Sequence, residues 1–270
     1  MRFRILFIVF NVVLVASFAL IFFMPAFVLG WEYTRVFWSG NWPIGAAFVL
    51  VLAGLNGYFG YNWRVFNLLE QEDWAGLVSL LERGAYERKR LTRQRARILV
   101  NAYVVTGRMD RISDLEAHIR REKPRLLPGL SIELGVPHLL SNDGQRMVEY
   151  FGDLKDRPGA AEPAWLRWAY AFGLMLESRH EEARAQLSAV LEESRDPLVR
   201  ALTAHMLEPF GDRDEAIGRK VSETRAALRE KYTREKLDRE MERQRPNLQV
   251  LFLSSRIEEA RDWVFATSSV

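Results

Sequence analysis

Two stretches near the start of the chain, residues 5–29 and 42–61, carry no charged side chain. About 20 apolar residues at 1.5 Å rise cross a ~30 Å hydrocarbon core, so each is long enough to span a bilayer as a helix. A backbone in lipid must satisfy its own hydrogen bonds, which leaves such segments little choice but helix. Everything from residue 62 onward mixes charged and apolar positions and reads as soluble. Arg2 and Arg4 would suit a signal peptide's charged region. The apolar run that follows outlasts the ~7–15 residues of a signal core and ends without a small-x-small cleavage site. An uncleaved anchor is therefore expected, with Pro25 and Gly30 marking the end of the first span.

Flanking cations set the expected orientation. Arg2 and Arg4 precede the first span; Arg64 and then Arg88, Lys89, Arg90, Arg93, Arg95 and Arg97 follow the second. The positive-inside rule puts both termini in the cytoplasm and residues 31–41 outside as a short connection. Trp31, Tyr33, Trp38 and Trp42 would form the outer aromatic belt, and Tyr58, Tyr61 and Trp63 the inner one. Ala53, Gly57 and Gly60 would let the first span approach closely. Asn11 and Asn56 lie at similar depth; they either meet across an antiparallel hairpin or each bond their own backbone or interfacial water. Neither suggests transport, since no acidic or basic residue or histidine accompanies them inside the spans.

The soluble part has a helical rhythm. Apolar residues recur at three- and four-residue steps, as in Trp74, Leu77, Leu80, Leu81 and in Ala183, Leu187, Val190, Leu191. Polar breaks fall at Gln71-Glu72, Gly107-Arg108, Asn142-Asp143, Arg179-His180 and Gly211-Asp212, spaced 32 to 37 residues apart. Such a period marks stacked helix–turn–helix units. The clearest unit starts with Trp165, Trp168, Tyr170, Ala171 and Gly173, turns at Arg179-His180, continues through Ala183, Leu187, Val190 and Leu191, and closes at Asp196-Pro197. Tyr103, Gly107, Leu115 and Ile119 outline a second. The stretches near 130–154, interrupted by Pro137, and 198–221 match less well.

These units resemble the tetratricopeptide repeat family, over about residues 70–210. The resemblance implies an α-solenoid of helix pairs whose inner face binds a protein partner, with Arg95, Asn101, Tyr103, Arg167 and Tyr170 at groove-lining positions. A generic solenoid or irregular helical bundle would produce the same pattern. Trp165 and Trp168 are expected in the core.

Catalytic signatures are sparse. Without cysteine there is no thiol chemistry, iron–sulfur ligation or disulfide. His118, His138, His180 and His205 show no ligand spacing, and no phosphate loop, dinucleotide fingerprint or nucleophile elbow occurs. The expectation is a chain with no catalytic, cofactor-binding or metal-binding residues. The cationic run Arg88, Lys89, Arg90, Arg93, Arg95, Arg97 suits an anionic lipid surface, an acidic protein or a solvated helix face; nucleic acid is the weakest reading, for want of aromatic interleaving. Residues 212–246 read as one long exposed charged helix stopping at Pro246, and 247–270 as an amphipathic helix that caps the repeats or docks a partner. The expected layout is all-α: a transmembrane hairpin (1–61), helical repeats (62–211), a charged arm (212–246) and a terminal helix (247–270). Its expected work is that of a bacterial inner-membrane scaffold whose repeat domain faces the cytoplasm. The alternatives are electrostatic binding of lipid or nucleic acid through the basic run, and an unrecognised enzyme.

Overall fold

A computed structural model describes residues 2–266, with no strand among them. The side chains of residues 2–4, Pro25 and Leu29 lie outside that description, so the roles expected of Arg2, Arg4 and Pro25 fall outside it too. The chain divides into two compact units, Met1–Leu80 and Leu81–Val270.

The first unit is built on α1 (Arg2–Leu29) and α2 (Trp31–Glu70), both long and apolar enough to cross a membrane. The expected connection at residues 31–41 is helix instead. Only Gly30 separates the two helices, at φ +86°, a left-handed conformation that favours glycine. Thr34 secures the turn, its backbone N–H and hydroxyl both donating to the Gly30 carbonyl (3.3 and 3.0 Å). The helices run antiparallel, and aromatic rings fill their seam. Phe7 meets Phe59 (4.6 Å between centroids), Phe18 stacks on Phe48 (3.8 Å), and Phe22 stacks on Trp38 (4.0 Å). The Trp38 indole N–H donates to the Phe22 carbonyl at 3.2 Å, so this residue of the expected outer belt belongs to the seam. Gly57 and Gly60 have no neighbour where a side chain would begin, and Ala53 is exposed. The expected small-residue contact is thus corrected: rings on α1 need rings opposite them, and Gly45, against Phe18 and Phe22, is the glycine that gives them room. Asn56 Nδ2 donates to Asn11 Oδ1 at 2.8 Å, while each amide also donates to its own helix, at Leu52 and Phe7 (2.9 Å each). Both expected arrangements therefore coexist.

The second unit takes in the end of α3 (Trp74–Glu82) and a π-helical turn, Arg83–Glu87. It continues through α4 (Arg93–Val105), α5 (Asp110–Glu122), α6 (Ser131–Ser141), α7 (Gly144–Leu154), α8 (Pro163–Leu176) and α9 (His180–Glu193). It ends with α10 (Pro197–Gly211), α11 (Glu215–Lys231), α12 (Arg234–Gln244), α13 (Leu248–Phe252) and α14 (Ser254–Phe265). All five expected breaks fall at interhelical turns. Local chemistry explains them: Gly107 (φ +70°), Asn142 (+53°) and Ser178 (+58°) take left-handed conformations, and Asp143, Asp196 and Asp214 cap the helices that follow. From α4 to α11 each helix packs on the next. Trp165 and Trp168 are buried there, as expected. Where α7 and α8 cross, a Cβ on Gly173 would lie 2.8 Å from Met147 Cβ and 3.2 Å from the Gly144 carbonyl, so the backbones approach only because both positions are glycine.

Two expectations change here. Pro137 sits inside α6 without interrupting it; Ile132, Leu134, Val136 and Leu139 are buried, at ~1.5–3 kcal/mol each, and outweigh one missing hydrogen bond. The expected exposed arm is two helices, broken at Tyr232 and restarted by the Thr233 cap. Ile217, Val221, Thr224 and Leu228 form a buried stripe on α11, which packs along α10. Without Thr224 that stripe is hard to see in the sequence.

The C-terminal segment folds back. α13 packs on α6, and α14 packs on α10, α11 and α12. Arg256 places its guanidinium over the Phe172 ring of α8 (4.6 Å). Residues 244–264 thus lie against α6, α8 and α10, each the first helix of its pair. Arg225 and Arg229 on α11 hold the end of α14: Arg225 donates to the carbonyls of Trp263 (2.6 Å) and Ala266 (2.7 Å), and Arg229 to those of Val264 and Ala266.

Candidate functional site

The five residues expected to line a partner groove do not converge. Tyr103 is fully buried and donates its hydroxyl to Glu82 at 2.8 Å; burial and that bond hold the phenol above its ordinary pKa. Glu82, the last residue of α3, also accepts from Arg111 of α5 (3.0 Å), so the Tyr103 hydroxyl is satisfied inside the core. Arg167 turns to Asp156 (3.2 Å) and Glu193, and Tyr170 packs on Gly152 beneath the Lys155 ammonium (5.2 Å). Tyr170 therefore faces α7, and Arg167 the turn after α7 and the end of α9. Arg95 is half-buried in the first turn of α4, its backbone N–H bonded to the Thr92 cap. Asn101 lines a cavity.

The basic run also divides. Arg88, Lys89 and Arg90 are exposed on the loop after the π-helical turn, where Lys123 braces the backbone by donating to the carbonyls of Lys89 (2.7 Å) and Leu91 (3.0 Å). Arg93 lies over Gly129, its Nε 2.8 Å from where a Cβ would sit. Arg97 reaches inward to an ion pair with Glu133.

That ion pair opens onto a cleft of about 80 Å³ between α4, α6, the loop before α8 and the turn joining α12 to α13. Arg97, Asn101, Glu133, Glu162, Asn247 and Gln249 supply its polar lining. Glu133 is 9 % exposed; Oε1 accepts from Arg97, while Oε2 is buried without a hydrogen-bond partner. Gln249, 2 % exposed, donates its amide to Glu162. Glu162 precedes Pro163 at φ +51°, a strained conformation for a residue with a side chain, costing on the order of 1–3 kcal/mol. The loop is pinned by the Ala161 N–H donating to the Pro128 carbonyl at 2.9 Å. Burial, then repulsion from Glu133 and Asp196, raises the Glu162 pKa above its ordinary value, against the pull of Arg97. A wider groove of about 430 Å³ shares Glu162 and continues along Trp165, Glu193, Asp196 and Gln244. No group of three or more acidic or histidine residues among those described is placed to hold a metal.

Sequence reasoning missed Glu133, Glu162 and Gln249. The Ala161-Glu162-Pro163 turn carries a faint signal, a carboxylate just ahead of a helix-starting proline. Nothing local links it to residues far away in the chain.

The sequence matches the family model described as "Uncharacterised Treponema protein" over residues 111–266. A relative, an uncharacterized protein of Treponema pallidum (strain Nichols), is 24% identical over 258 residues, covering 91% of this chain and 80% of the relative. No solved structure matches.

Proposed function

We propose that this chain, which belongs to the family of uncharacterised Treponema proteins, is a non-enzymatic membrane-anchored adaptor that holds a protein partner through its helical domain. The anchor is a two-helix hairpin in a bacterial inner membrane, with both termini and the helical domain cytoplasmic. The helix pairs form a tetratricopeptide-like solenoid. The observation that carries this reading is the pairing of two apolar helices having outward-facing side chains, such as Leu20, Phe27, Leu50 and Val51, with a unit made wholly of packed helices. Outward apolar chains call for lipid. Trp31, Tyr33 and Trp42 near the hairpin's turn, and Tyr58 and Tyr61 further along α2, are exposed where aromatic belts would sit.

One observation favours a second reading, electrostatic contact with anionic lipid: Arg88, Lys89 and Arg90 are three consecutive exposed cations on one loop, the Lys89 side chain staying 80% exposed even with Glu122 3.9 Å away. The two readings separate in one experiment. In-cell crosslinking and affinity capture would compare the parent chain with a variant carrying Gln at 88, 89 and 90, alongside topology reporters placed after residues 36 and 270. The adaptor reading expects a defined protein captured by both chains and a cytoplasmic signal only from residue 270. Capture abolished by the Gln variant, or an inverted reporter pattern, would overturn it.

A further inference from the structure

Building on the electrostatic reading above, we propose that residues 88–93 and 121–125 form one composite docking surface for the phosphate headgroups of anionic lipid. Two segments far apart in the chain supply its exposed cations. Arg88, Lys89, Arg90 and Arg93 come from the first, Arg121 and Arg125 from the second. Lys123 joins them. Its ammonium donates to the carbonyls of Lys89 (2.7 Å) and Leu91 (3.0 Å), which holds the loop against the residues that follow α5. Arg93 continues the face, lying over Gly129. A surface fixed in advance loses less entropy on binding than a free loop does.

The charges of this face lack counter-charges. Elsewhere in the unit arginines reach carboxylates on neighbouring helices: Arg120 to Asp153 (3.0 Å), Arg184 to Asp214 (2.9 Å) and Arg261 to Asp238 (2.6 Å). Arg88, Arg90, Arg93 and Arg125 pair with no carboxylate among the described residues. Lys89 and Arg121 share Glu122 (3.9 and 3.2 Å), the sole acid within the two segments, with Glu87 just before them. Cations gathered in this way repel one another, and an external anion relieves the repulsion.

The surroundings select the kind of anion. Among the described residues no large apolar side chain is exposed between these cations. A protein partner therefore finds no anchor there, and a nucleic-acid base no ring to stack on. A headgroup layer needs only the charge. Beside Arg125 an open groove of about 400 Å³ adds exposed Pro124 and half-buried Leu126, a rest for the first methylenes below a headgroup. The chain reaches residue 88 soon after the apolar helix α2 ends at Glu70. With α2 in a bilayer, that tether keeps headgroups at high effective concentration.

The chain has no cysteine, so Gln94→Cys, at an exposed position among the cations, carries a single fluorophore. The full chain is placed in bilayer discs of phosphatidylcholine, with or without phosphatidylglycerol, containing a trace of lipid with a nitroxide on its headgroup. Phosphatidylglycerol is expected to raise quenching of this dye about twofold or more, and high salt to reverse the gain. A dye at Gln145→Cys on α7 is expected to show no gain. Two variants divide the surface: Arg88→Gln with Lys89→Gln and Arg90→Gln, and Arg93→Gln with Arg121→Gln and Arg125→Gln. All these side chains are exposed, so both variants are expected to fold, and each to lose about half of the gain or more. Loss confined to one variant would overturn the composite surface; if that variant is the first, lipid contact through the loop alone stands. No gain in the parent would overturn both and leave an acidic protein as the partner of this face.

Discussion

Glu162 carries opposing pressures in one side chain. Its backbone is left-handed ahead of a proline, and its carboxyl faces Glu133 and Asp196. With a folded pKa above the unfolded one, the carboxyl is neutral in both states at low pH and costs nothing. As pH rises past the ordinary value of 4.5, the unfolded chain ionises first and stability falls, so the full penalty stands at neutral pH. Glu162→Gln keeps an acceptor for Gln249 and removes the charge. It is expected to stabilise the protein by a few tenths to about 1 kcal/mol at pH 7, the solvent screening much of the effect, and by nothing near pH 3. Urea unfolding at the two pH values checks this; a gain of equal size at both would point to relieved backbone strain instead of charge. Asn11 and Asn56 show the other face of a polar residue in an apolar setting. Each gives one N–H to its own helix, and Asn56 also bridges to Asn11, so the hairpin gains a fixed register for two amides.

At the scale of elements, turns were legible and pairings less so. Gly107, Asn142 and the aspartate caps announce themselves because turn chemistry is local, and the spacing of the breaks follows directly. The seam between α1 and α2 was misread because small residues are one solution to close packing and stacked rings are another; composition does not choose between them. The exposed arm was misread for want of counting Thr224 as a core position. The hold on α14 was illegible, since Arg225 and Arg229 look like any surface arginines until α11 is placed beside the end of α14. Cations at the C-terminal end of a helix complement its dipole, and here they also satisfy carbonyls the helix leaves open. Replacing both with Ala is expected to cost about 2–3 kcal/mol locally, with faster proteolysis inside residues 254–266 and little change elsewhere. Unchanged cleavage there would mean that Val264 and Ile257 hold the helix by packing alone.

For the whole molecule, the question is whether the C-terminal segment is a detachable strap or part of the core. Leu248, Val250, Leu253, Ile257 and Val264 are all buried, and at ~1.5–3 kcal/mol each their packing rivals the 5–15 kcal/mol that stabilises an entire domain. Truncation before residue 248 is therefore expected to abolish cooperative urea unfolding of the helical unit; a sharp transition in the truncated chain would identify a strap. A partner is accordingly expected to use surface outside the span that residues 244–264 cover. The same span explains why the cleft could not be read from sequence: its walls come from residues 97 to 249, joined by tertiary packing and by no shared motif. It also sets an order in time. During synthesis α4 to α11 emerge before the stretch that closes the cleft, so the Arg97–Glu133 pair is made before Asn247 and Gln249 exist to cover it. The last wall of the cleft is the last to be made.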